Sequence, residues 1–195
     1  MKNYHHKLFP NQYYHIYNRA NGNDRLFSSE ENYSFFLKKY CDYIDPIVET
    51  ICYCLMPNHF HFLIRVRDED ELSFYKNIAI KKTNSLENIL SQQFSNFFNS
   101  YTQAYNKQQD RKGSLFMKNF NRLEVKDETY LIKLILYVHN NPVEAGLANN
   151  IAEWRHSSYF NLSRYANDLI CSSSAIEYFD DLENFIYCHK RNSLL

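Results

Sequence analysis

The sequence predicts an α+β sandwich, an antiparallel sheet with helices packed on one face. Three observations carry this. Elements follow in the order strand–helix–strand–strand–helix–strand–helix. The segment His59–Val66 alternates apolar and polar residues with period two. Residues 33–44 and 131–138 repeat apolar side chains at helical spacing.

Residues 12–19, QYYHIYNR, read as a first strand rich in Tyr and Ile. Ser28 and Glu31 form a capping-box pattern, behind which Tyr33, Phe36, Leu37, Tyr40, Cys41 and Ile44 make an apolar helical stripe. Ile47 to Leu55 and His59 to Val66 read as two strands of a hairpin, turned by Met56-Pro57-Asn58. A helical zone follows the charged run Asp68–Glu71. Its best part sets Phe94, Phe97, Phe98, Tyr101 and Tyr105 on one face. Leu115 to Val125 is expected to be a fourth strand or a hairpin arm. Asp127 caps a helix predicted to run to about Asn140, where Pro142 ends or bends it. We expect a main domain over residues 1–160 and a helical C-terminal extension over 161–195.

Composition bounds the function. The 195 residues carry 22 Lys+Arg against 22 Asp+Glu, so the chain is no polycation of the histone type. Residues 101–165 are modestly basic and the tail is acidic. With 45% hydrophobic residues, wholesale disorder is excluded. No apolar run approaches membrane-spanning length, and the start lacks a secretory leader, so a soluble cytoplasmic domain is expected. Five cysteines at irregular spacing argue for reduced thiols rather than a disulfide framework.

On the third strand Phe60, Phe62, Ile64 and Val66 face one way, and His59, His61, Leu63 and Arg65 the other. Two imidazoles at i, i+2 can share one divalent ion. A plain pair of surface histidines fits the same residues. So does a zinc site made with Cys52 and Cys54, although the C-x-C-x4-H-x-H loop is shorter than zinc-finger spacings. Further along, Lys133, Tyr137 and Asn141 stand at i, i+4, i+8 on one helical face, away from the Leu/Ile stripe. A phenol there is not needed for the core. Beside a cation it is a candidate nucleophile, with Lys133 or a metal assisting and the Asn141 oxygen as a third metal ligand. Asn141 also suits the N-cap of a short helix opening at Pro142, and Tyr137 suits ordinary packing.

MPNHFHFLI at Met56–Ile64 resembles the HUH motif of the single-tyrosine HUH transposases, in which two histidines flank a bulky apolar residue. YVHNNPVEAGL at Tyr137–Leu147 resembles the tyrosine-helix end of their REP-associated branch, and WRHSSY at Trp154–Tyr159 the segment after it. YYHIYNRANGNDRLF at Tyr13–Phe27 is similar to the family's first strand and loop. GSLFMKNFNRLEV at Gly113–Val125 is similar to the strand before its catalytic helix. The resemblance implies a ferredoxin-like sheet, a divalent metal (Mg²⁺ or Mn²⁺) on His59, His61 and Asn141, and Tyr137 as nucleophile. It implies cleavage and rejoining of single-stranded DNA near hairpins through a 5′-phosphotyrosine intermediate, as in DNA transposition. Asn141 departs from the Gln of other branches, and His139 is close enough in sequence to compete as a ligand, although at 3.6 residues per turn it points roughly 200° around the helix from Tyr137.

Arg19, Lys118, Arg122 and Lys133 are the candidate DNA contacts, interleaved with Tyr and Phe suited to stacking. The expected partner is single-stranded, hairpin or palindromic DNA, and a homodimer is compatible with the resemblance. The rival functions are a domesticated regulator that binds DNA hairpins without cutting, and a small zinc protein or metal-dependent hydrolase.

Overall fold

A computed structural model describes residues 6–81, 84–164, 170–171 and 173–192. Part of the extension expected over 161–195 lies outside these residues. The elements run β1 (Tyr13–Arg19), α1 (Glu30–Tyr43), β2 (Val48–Met56), β3 (His59–Val66), α2 (Ser73–Lys81) and α3 (Leu86–Gln108). There follow β4 (Asn121–Val125), α4 (Glu128–Glu144), α5 (Ser158–Leu162), α6 (Ser174–Glu177) and α7 (Leu182–Asn192). The four strands form one antiparallel sheet in the order β2-β3-β1-β4. That is the ferredoxin-like arrangement, with β3 inserted between β1 and β2. The α+β class expected from the sequence is the one observed.

Period two along the strands divides the residues between two faces. Phe60 and Phe62 point toward α1 and α3, where Phe36 lies 5.5 and 6.4 Å from their ring centres and Phe97 lies 4.7 Å from Phe36. Each such ring is fully buried, a stabilisation of roughly 1.5–3 kcal/mol apiece. Tyr40 reaches into the same layer, and its hydroxyl is satisfied by Thr50 Oγ1 at 2.8 Å. A bulge at Thr50/Cys52 shifts the phase of β2, so Cys52, Cys54 and Met56 fall opposite Leu63, His61 and His59. The expectation of helices on one face holds for α1 and α3. It fails for α4, which packs on the opposite face against β2 and β3. The physical reason is the apolar stripe of Leu131, Leu134, Ile135 and Val138, which needs a surface of its own to cover.

Local details differ from the sequence expectation in three places. The N-cap of α1 is Ser29, one residue later than Ser28, and the Asn32 carboxamide accepts from the backbone N–H groups of Ser28 and Ser29. Strand β4 is shorter than Leu115–Val125. The segment before it keeps only a bridge between Phe116 and Ala20 and turns through Asn119 at φ 62°. Helix α4 does not end before Pro142 but runs through it to Glu144. Proline sits there in the last turn, and a Schellman closure ends the helix two residues later. Gly146 N–H donates to Val143 O, and Leu147 N–H donates to Pro142 O. Gly146 has φ 67°, a conformation that favours glycine.

The C-terminal segment is packed onto α4. Phe185 is fully buried and stacks on Tyr159 at 5.5 Å. The buried His139 ring bonds His189 Nε2 at 2.8 Å through Nδ1 and Ser158 Oγ at 2.8 Å through Nε2. His189 Nδ1 donates to Phe185 O at 2.7 Å. The outer edge of β2 is covered too, by a bridge from Cys54 to Ser157 and one from Thr50 to Cys171.

Phe185→Ala should cost about 3–5 kcal/mol in urea unfolding. A loss under about 1 kcal/mol would mean that α7 is not part of the core. Stability should also depend on acid. An unfolded imidazole protonates near 6.5. Burial pushes His189 down to about 4 and holds His139 well below its usual range. The unfolded chain therefore binds more protons below pH 6.5. Stability should be undiminished above that value and fall steadily as the pH drops toward 4, with a shallower slope in His189→Gln.

Candidate functional site

The site is built where β1, β3 and α4 meet. The β1–β3 register sets Tyr17 opposite His61 and Arg19 opposite His59, with His15 one pair further on. All five side chains emerge on the α4 face. The His59 and His61 rings lie 5.3 Å apart at 89°. His61 stacks on His15 at 5.1 Å and on Tyr17 at 5.7 Å. His61 Nδ1 and His15 Nε2 are 2.9 Å apart, and His59 Nδ1 is 2.7 Å from Asn58 Oδ1.

Helix α4 lays Tyr137 edge-on to this cluster, 5.7 Å from the His61 ring and 6.4 Å from His15. Tyr137 is nevertheless 41% exposed, so an incoming group can reach its hydroxyl. One turn on, Asn141 donates to Tyr137 O at 2.8 Å. Its carboxamide also acts on the His59 ring as a hydrogen-bond partner, favouring the charged imidazole. The histidine pair, Tyr137 and Asn141 of a single chain thus come together.

Burial dominates the electrostatics. It pushes His15 down to about 4. It holds His61 well below the usual imidazole range, with the neighbouring His15 and His59 adding to the effect. His59 is lowered by burial and by Arg19, against the opposing bond from Asn141. At neutral pH the cluster is therefore uncharged, with nitrogen lone pairs available to a cation.

The candidate DNA contacts divide into two groups. Arg19 lies beside His59, both lining a cavity of about 300 Å³. Lys133 lines a second cavity of about 470 Å³ with Tyr137, His61, His15 and Tyr130. Lys118 and Arg122 lie elsewhere. Arg122 is paired with Ile16 and points to the α3 side of the sheet, where it bonds Ser91 and covers the Phe120 ring.

His139 does not join the site, since its ring is buried among His189, Ser158 and Tyr159 on the far side of α4. The zinc alternative also finds no support. Cys52 and Cys54 are fully buried, Cys54 contacts Met56 Sδ at 3.7 Å, and burial pushes both thiols up. Among the described residues no three His, Cys, Asp or Glu side chains are grouped to hold an ion. The donor set that could hold one is two imidazoles and the Asn141 carboxamide, which suits a divalent cation that keeps other positions for oxygen ligands.

Sequence reasoning missed His15 and Asn58 as partners of the two histidines. The alternation of His15, Tyr17 and Arg19 was a visible signal of a shared face. The cross-strand contact between residues 15 and 61 has no local signature.

No family model matches the chain. A Haemophilus influenzae protein named for the REP-associated tyrosine transposases is 26% identical over 113 residues. That match covers 57% of this chain and 58% of the relative, so only a little over half of the relative's length is represented. A solved structure of a REP-associated tyrosine transposase bound to a REP hairpin superposes with a TM-score of 0.62 at 12% identity. It covers 90% of this chain and 93% of its own. In sequence over the aligned part, and in fold over most of its length, this chain is similar to the REP-associated tyrosine transposases.

Proposed function

We propose that the chain cuts and rejoins single-stranded DNA beside hairpins, with Tyr137 as the nucleophile. One observation carries the reading. An exposed phenol stands 5.7 Å from a buried, uncharged imidazole of a two-histidine cluster. A phenol that only packed would have no use for such neighbours. The hairpin named with the structural relative supports the substrate class.

His59, His61 and Asn141 would hold Mg²⁺ or Mn²⁺. When bound, the ion supplies charge withdrawal at a non-bridging phosphate oxygen. The protein's part is orientation. Asn58 Oδ1 accepts from His59 Nδ1, which leaves His59 Nε2 as the lone-pair nitrogen. A proton on His61 Nδ1, donated to His15 Nε2, does the same for His61. Asn141 is tied through its amide nitrogen to Tyr137 O, and its oxygen, which faces the His59 ring, would turn to the cation when one binds. Tyr137 Oη bonds to phosphorus as the P–O3′ bond breaks, its proton passes to solvent water, and the 3′-oxygen takes one proton from solvent and leaves as a hydroxyl. The phosphodiester is conserved in the adduct, so reversal by a 3′-hydroxyl rejoins strands without an external energy source. Lys133 and Arg19 lie on either side of the histidines, placed to steady the flanking phosphates.

The test is a labelled hairpin with a single-stranded tail, incubated with Mn²⁺ and resolved on a denaturing gel. A covalent protein–DNA band is expected. Tyr137→Phe should abolish it, and His61→Ala or chelation should reduce it at least about 100-fold. A band that survives Tyr137→Phe overturns the assignment, and hairpin binding with no band under any metal would make the chain a non-cutting regulator. Separately, long-range ¹H–¹⁵N spectra at pH 7 should find the His59 proton on Nδ1. Asn58→Leu should shift part of that population to Nε2, and an Nε2–H tautomer in the unmodified protein would contradict the orienting role of Asn58.

A further inference from the structure

The cavity beside Tyr137, of about 470 Å³, falls in the size range of small-ligand pockets. Helix α4 packs over β2 and β3 and leaves the β1–β4 side of that sheet face open along its flank. Tyr17 and Leu123 line the sheet side of this space, and Tyr130, Lys133 and Tyr137 line the helix side. Tyr130 stands seven residues before Tyr137, so two turns and roughly 10 Å separate them on one face of the helix. Its ring is 43% exposed, and among the described residues no other ring packs on it. Lys133, between the two phenols, is exposed and pairs with no carboxylate among the described residues. No Asp or Glu is among the described residues that line the cavity. The smaller cavity of Arg19 and His59 meets this one at Tyr17 and His61, but Tyr137 lines only the larger.

We infer that the two cavities take opposite sides of the cut: the nucleotide that stays joined through its 5′-phosphate lies in the larger one, with its base on the Tyr130 ring. The inference rests on the nicking function proposed above and adds a residue that positions the retained product. Attack on phosphorus is in line, so the incoming phenol oxygen and the departing 3′-oxygen occupy opposite ends of one axis. The departing nucleotide therefore leaves away from Tyr137, on the side of the Arg19 cavity. The 5′-oxygen lies off that axis, so the retained nucleotide stays beside Tyr137 and runs along α4. Lys133, one turn back, meets its next phosphate, and the open face of Tyr130, one turn further, takes its base. Tyr17 and Leu123 enclose that base from the sheet side. Held there, the retained end stays in place while one 3′ end is exchanged for another.

The test reads each side of the cut separately. 2-Aminopurine is walked through the unpaired tails flanking a hairpin, one position per probe, and its fluorescence is read on Tyr137→Phe protein so that no adduct forms. A sequencing gel with the unmodified protein maps the cut. The base just after the cut should be quenched on binding, and adding Tyr130→Ala should restore its signal at least about threefold. Tyr130→Phe should keep the quenching, and the base just before the cut should respond to neither change. In adduct assays an abasic residue just after the cut should slow the unmodified protein about tenfold and Tyr130→Ala less than twofold. Tyr130 is exposed, so its replacement leaves the core intact. A Tyr130→Ala response that is absent, or equal on both sides of the cut, overturns the assignment, as does an abasic penalty of the same size in both proteins. If no adduct forms with any substrate while one probe position still depends on Tyr130, nicking fails and the base site stands. Adducts without any Tyr130-dependent position overturn the base site and leave nicking standing.

Discussion

The register between β1 and β3 is the constraint on which the site depends. Tyr17 against His61 and Arg19 against His59 place a histidine-rich surface toward α4 while Phe60 and Phe62 enter the core. A slip by one residue would exchange these two sets, burying imidazoles among phenylalanines. The aromatic packing of α1 and α3 on the other face is what forbids the slip. Core and chemistry are thus fixed by the same ladder of hydrogen bonds.

That arrangement gives the sheet two unlike sides. One is dry and aromatic, and it anchors β3 firmly enough for its alternate side chains to be held at a polar, half-open surface. The other receives α4, a helix that buries Leu134, Ile135 and Val138 and leaves Tyr137 accessible. Burial is the main cause that lowers His15 and His61, with the neighbouring histidines adding to it at His61.

Much of this was legible in the sequence. His59 and His61 on one side of a strand, and Tyr137 with Asn141 on one side of a helix, follow from periods of two and 3.6 residues alone. The helix cap at Asp127, which accepts from Tyr130 N–H at 2.7 Å, was equally local. What escaped were relations between distant segments. His15 bonds a residue 46 positions away. The position of α4 across the sheet depends on the order of strands. Arg122 looked like a companion of Lys133 and Tyr137 because it precedes their helix, but a strand carries neighbouring side chains to opposite faces. Pro142 misled for a different reason. The rule that proline stops a helix weakens in the final turn, where few amide donors remain to be lost.

The buried bonds from His139 to Ser158 and His189 tie the back of α4 to the C-terminal helix. Rotating α4 about its own axis would tear three polar groups from their sheltered partners, so the helix has a keel. Because Ser158 also bonds the Tyr53 backbone of β2, the keel is moored to the sheet, and Tyr137 cannot swing outward with its helix unless the tail parts from the strand.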